Sequence, residues 1–99
     1  MPTSSSAPGA GRAIVTIIGL DRVGIIAAIA NILADANVNI LDIRQTLMGD
    51  IFTMSMIVDM TASSRPFVEA RDGLVALGRE MGMEIHVQRE DVFRYMHRI

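Results

Sequence analysis

The sequence predicts an α+β sandwich of element order βαββαβ, in which a four-stranded antiparallel sheet carries two helices on one face. Three observations predict it. Two stretches with apolar residues at helical spacing each lie between segments that read as strands. Gly49-Asp50 stands as a two-residue turn between two extended runs. A length of 99 residues admits a single domain. A helix after the first strand and another after the third imply crossover connections, and their common right-handedness puts both helices on one side of the sheet. This is the ferredoxin-like arrangement, with the first and third strands in the centre.

Met1 to Gly11 (MPTSSSAPGAG) has no periodicity and too little apolar surface to order itself, so it reads as a tail outside the fold. Arg12 to Gly19 is rich in β-branched residues and apolar on both faces, as a central strand requires. From Arg22 to Ala36, Ile25, Ile29, Ile32, Leu33 and Ala36 recur at helical spacing. Asp21 is placed to cap that helix through its carboxylate, and Asn37 suits the left-handed position that ends it. Val38 to Met48 alternates, with Leu41, Ile43, Gln45 and Leu47 on one face and Asp42, Arg44 and Thr46 on the other. Ile51 to Met60 follows the turn with Phe52, Met54, Met56, Val58 and Met60 on a single face.

Thr61 to Ser64 is a polar loop whose serines are candidate caps for a second helix, with Pro66 in its first turn. Phe67, Ala70, Leu74, Leu77 and Met81 form its apolar stripe, and Gly82 is its expected stop. Met83 to Arg89 alternates again, with Met83, Ile85 and Val87 inward. Asp91 to Ile99 has helix-like spacing but is too short to be helical alone, so it must dock on the uncovered sheet face or on a second copy. The expected organisation is a tail over 1–11, a domain over 12–90 and an amphipathic extension over 91–99.

Composition removes several classes of function. With no cysteine there is no disulfide, thiolate nucleophile or Cys-based metal site, and with all nine basic side chains arginine there is no Schiff-base or P-loop lysine. A net charge of -2 carries no nucleic-acid footprint, and the central strands lack paired aromatic residues for stacking bases. No apolar stretch approaches the roughly 20 residues a membrane-spanning helix needs, and no signal peptide is evident, so the expectation is a cytoplasmic protein without membrane partners. His86 and His97 stand without triad or ligand partners, Asp59 without a second carboxylate, and no metal or cofactor site is predicted. Met54, Met56, Met60 and Met81 read as gap-filling core residues, and Asp42 with Arg44 as an exposed pair of little energetic weight.

The turn between the first strand and first helix is the most informative segment. Gly24 removes a side chain where backbone or ligand can come close, the helix start offers free N–H groups and a positive dipole end to an anion, and Arg22 adds charge nearby. The run Gly-Leu-Asp-Arg-Val-Gly-Ile-Ile-Ala-Ala-Ile-Ala (Gly19 to Ala30), followed by Asn-Val-Asn-Ile-Leu-Asp-Ile-Arg-Gln-Thr (Asn37 to Thr46), resembles the ACT domain. That family commonly reads G-x-D-R-P-G-I ahead of its first helix and N-I-x-D after it. The likeness covers Ala13 to Ile99 and is greatest to small stand-alone members whose end is similar to Met96-His97-Arg98-Ile99.

The resemblance implies a regulatory module without catalysis of its own. It would bind a small amino acid or related metabolite where the first loop of one subunit meets the second strand of another. By position, Leu20, Asp21, Arg22, Val23, Gly24 and Ile25 would supply backbone groups, with Asp21 facing the ligand's ammonium or polar group, and Asn39, Ile40 and Leu41 would come from the second copy. Val23 stands where many relatives carry proline, which leaves the loop less preorganised. The implied partners are itself, as a homodimer or higher oligomer, the small molecule, and a regulated protein. A ligand-free assembly module of the same fold is the alternative. An acylphosphatase-like enzyme with Arg22 holding phosphate is a third reading, for which no asparagine is visibly paired with the arginine to position a water.

Overall fold

The computed structural model describes residues 11–96, so the predicted tail up to residue 10, His97 and the rest of the chain's end lie outside the described residues. The elements run β1 (Arg12–Leu20), α1 (Ile25–Asp35), β2 (Asn39–Met48), β3 (Ile51–Asp59), α2 (Phe67–Met81), β4 (Glu84–Arg89) and α3 (Glu90–Met96). The strands pair antiparallel in the order β2-β3-β1-β4, with β1 and β3 central as predicted.

The core lies between one sheet face and the α1/α2 pair. Val15 and Ile17 of β1 and Met54, Met56 and Val58 of β3 are buried against Ile25, Ile29 and Leu33 of α1 and Ala70 and Leu74 of α2. Burying each of these side chains larger than alanine contributes roughly 1.5–3 kcal/mol, which is why the two-residue alternation of β3 and the helical stripes had to face one another. The four methionines expected in the core are there: Met54, Met56 and Met60 are buried, and Met81 packs against the cluster. Gly78 allows a close approach of α2 to the chain entering β4, since a Cβ there would lie 2.8 Å from the Met83 carbonyl oxygen.

Several local expectations are corrected. Helix α1 starts at Ile25, three residues later than predicted, because Gly24 takes φ 90 and occupies the N-cap. Asp21 and Arg22 therefore lie in the turn, and no side chain caps the helix. Pro66, at φ -60 and ψ 154, is the N-cap of α2, again without a side-chain cap. Ser63 braces the loop instead, its hydroxyl donating to the Arg65 carbonyl and accepting from the Arg65 N–H. Asn37 does take the left-handed conformation, φ 59, and Gly82 at φ 70 ends α2. Gly49, φ 62, makes the β2–β3 turn.

Strand β2 is irregular where its sequence alternates cleanly. The register slips between Ile40 and Asp42, so that Leu41 has no partner on β3, and from Leu41 onward the strand is exposed on both faces. As the edge strand it lies beyond the cover of the helices. The extension forms α3, which packs on β1 and β4 and sets Phe93 over Ile14 and Thr16, on the face α1 and α2 leave bare. Its first residue, Glu90, accepts both Nε–H and Nη2–H of Arg12, at 2.8 and 2.9 Å, and so fastens α3 to the start of β1.

Candidate functional site

The β1–α1 turn is built by a strand end, a glycine and two braces. Leu20 ends β1 opposite Ile51, and Gly24 reverses the chain with a φ that other residues adopt only under strain. No atom lies within 4 Å of the place a Gly24 Cβ would occupy, so the glycine serves backbone conformation, and the space before it is open. The Asp21 N–H donates to the Asp50 carbonyl at 2.9 Å, tying the turn to the β2–β3 hairpin. The Arg22 guanidinium donates to the Met81 carbonyl at 3.0 Å, tying it to the C-terminal end of α2. Neither carbonyl carries a side-chain signal in the sequence, and these supports are what the sequence reading missed.

Between the braces the turn is bare. Val23 is 98% exposed and Leu20 63%, and Asp21, Arg22 and Gly24 are exposed too. Ile25 is buried, so its side chain belongs to the core and only its backbone borders the turn. With no side-chain cap and no acidic residue in the first turn of α1, the positive end of that helix is uncompensated. The turn sets an exposed acidic residue, Asp21, four residues ahead of an uncapped helix start, a combination suited to a small molecule bearing both an anionic and a cationic group.

The remaining candidates lie elsewhere in the chain. Asn39 pairs with Asp59, which is level with Arg12, so Asn39 and Ile40 sit at the opposite end of the sheet from the turn. Eight strand steps separate them, about 27 Å. One copy of the chain does not bring Asn39, Ile40 and Leu41 to Leu20 through Ile25. Asp59 has a structural part: its carboxylate accepts from the Thr61 hydroxyl at 2.6 Å and the Thr61 N–H at 2.9 Å, bonds that hold its pKa below the ordinary aspartate value. His86 contacts Glu84 at 3.0 Å on the surface. Among the described residues no cluster of three or more His, Cys, Asp or Glu could hold a metal, and no helix is long and apolar enough to cross a membrane.

Residues 12–88 match the ACT domain family. A UPF0237 protein of Methanococcus maripaludis is 48% identical over 86 residues, spanning 87% of this chain and 96% of its own length. An ACT domain protein from Streptococcus pneumoniae superposes with a TM-score of 0.73 at 32% identity, covering 85% of this chain and 94% of the other. The regulatory subunit of aspartate kinase from Thermus thermophilus superposes with a TM-score of 0.63 at 25% identity, over 79% of this chain and 51% of that subunit.

Proposed function

The chain belongs to the ACT domain family, and from that premise we propose that it is an amino-acid-binding regulatory domain that works as a homodimer and has no catalysis of its own. The observation that carries this reading is the β1–α1 turn, braced on both sides yet open at an uncapped helix start. Backbone N–H groups there favour the ligand's carboxylate, and Asp21 favours its ammonium group. Residues 39–41 of a second copy complete the site. Two β2 edges paired antiparallel about a two-fold axis carry the Asn39 end of one copy to the Met48 end of the other, which is the end that holds the turn.

Titration calorimetry against the standard amino acids tests the reading. One of them is expected to bind the wild-type chain, and Asp21→Ala and Asn39→Ala are each expected to weaken it about tenfold, the loss of one charge-assisted hydrogen bond. Absence of heat with every amino acid refutes it. The exposed apolar residues of β2, with Leu41 at 47%, Leu47 at 55% and Met48 at 65%, favour a second reading, an assembly module that needs no ligand. Calorimetry separates the two, because that module gives no heat with any amino acid.

A further inference from the structure

On the sheet face turned away from α1 and α2, a cavity of about 290 Å³ opens beneath α3. Its floor is two rows of side chains that cross three strands. Ile14, Ile57 and Asp42 are register partners in one row, and Thr16, Ser55 and Arg44 in the next. Phe93 of α3 forms a wall. The volume falls at the small end of ligand pockets, which run from roughly 300 to 1,000 Å³.

The rows differ in chemistry. One presents two aliphatic side chains ending at a carboxylate, and the other presents two hydroxyls ending at a guanidinium. Arg44 Nη2 and Asp42 Oδ2 stand 3.9 Å apart, too far for a charge-assisted hydrogen bond, so each charge keeps its capacity for another partner. We infer that this cavity binds one zwitterionic α-amino acid with an aliphatic side chain. Its carboxylate accepts from Arg44 and the Thr16 and Ser55 hydroxyls, and its ammonium group donates to Asp42. Its side chain lies on Ile14 and Ile57 under Phe93. A polyanion such as a nucleotide is disfavoured, because Asp42 stands beside Arg44, the one guanidinium of the floor among the described residues, and the volume is small.

The site lies on β1, β3 and the middle of β2, away from the β1–α1 turn, and does not rest on the reading of that turn. Because Phe93 belongs to α3, an occupant is in contact with that helix and stabilises its docked state over its free one.

Hydrogen exchange by mass spectrometry on the full chain, with each aliphatic amino acid in turn, tests the inference. At least one is expected to slow exchange in 14–16, 42–44, 55–57 and 90–96 together. Arg44→Gln and Phe93→Ala are each expected to weaken that effect about tenfold. Arg44 is 84% exposed, so its replacement leaves the fold intact. Protection confined to 20–25 and 39–41 overturns this inference while upholding the loop site, and protection nowhere overturns both. Slow exchange in the four segments without any amino acid, lost together with half the mass in light scattering on dilution, shows a second copy filling the cavity and also overturns it.

Discussion

Gly24 sets both where α1 begins and what the turn can offer a ligand, and its conformation leads to a sharp expectation. Nothing crowds its missing Cβ, so Gly24→Ala tests backbone conformation alone and should cost about 1–2 kcal/mol in denaturant unfolding. Gly24→Asn should cost less, because asparagine tolerates the left-handed region, as Asn37 does at φ 59. Equal losses would mean that the glycine is needed for space. Gly78 is the contrasting case. In a helix interior, Gly→Ala normally gains up to about 1 kcal/mol, yet a Cβ here meets the Met83 carbonyl at 2.8 Å and Ile85 Cγ1 at 2.9 Å. Backbone cannot yield as a side-chain tip does, so Gly78→Ala should be net destabilising, by about 1–2 kcal/mol, and a raised melting temperature would refute the packing account.

Among the elements, α3 depends most on one interaction. A seven-residue helix has little intrinsic stability, and Glu90 anchors it by accepting from Arg12 and, at 3.2 Å, from Arg94 one turn on. The Arg12 bond, chiefly, holds the Glu90 carboxyl below the ordinary glutamate pKa. A depressed folded-state pKa gives stability that is present in full above the unfolded value and lost as pH falls through the folded one. Exchange protection of 90–96 should thus be level from neutral pH to about 5 and decline below the ordinary glutamate range near 4.3. Glu90→Gln should abolish that dependence, and an unchanged decline in the variant would place its cause elsewhere. Arg12 and Glu90 lie 78 residues apart, which explains why spacing announced an amphipathic extension but not its anchor. Local signals did better where the physics is local: the β3 alternation, the Asn37 and Gly82 stops and the Gly49 turn each depend on side chains or φ within a few residues. Asp21 misled because its spacing suits a cap only if the helix starts at Arg22, and the left-handed Gly24 two residues further on forbids that start. The β2 bulge left no trace because Leu41 and Ile43 alternate as well in a regular strand. For the site, sequence marked the turn but not its braces, since any residue can supply the carbonyls of Asp50 and Met81.

At the scale of the whole molecule, the two sheet edges are guarded unequally. The β4 edge carries Glu84, His86 and Arg89, whereas β2 carries only Asp42 and Arg44 and exposes Leu41, Ile43, Leu47 and Met48. Unpaired strand groups beside exposed apolar side chains invite another strand, and charges discourage it, so β2 is the edge at which two copies should meet. A domain of 99 residues also gains proportionately more from such burial than a large one. Light scattering should give twice the chain mass, and the double substitution Ile43→Lys with Leu47→Lys should give the monomer with unchanged circular dichroism. Retention of the dimer by that variant would assign the contact to another surface. The turn and Asn39 are about 27 Å apart in one copy, so the proposed site shared between two copies predicts that dimerisation and amino-acid binding are linked. The two-fold axis makes two such sites, so at a hundred times its Kd the amino acid stabilises the dimer by about 2.7 kcal/mol for each site, roughly ten-thousandfold in the dimer dissociation constant. Sedimentation at a series of protein concentrations, with and without the amino acid, reads that shift directly. Equal dissociation constants in the two series would mean that the turn binds within one copy, without help from β2.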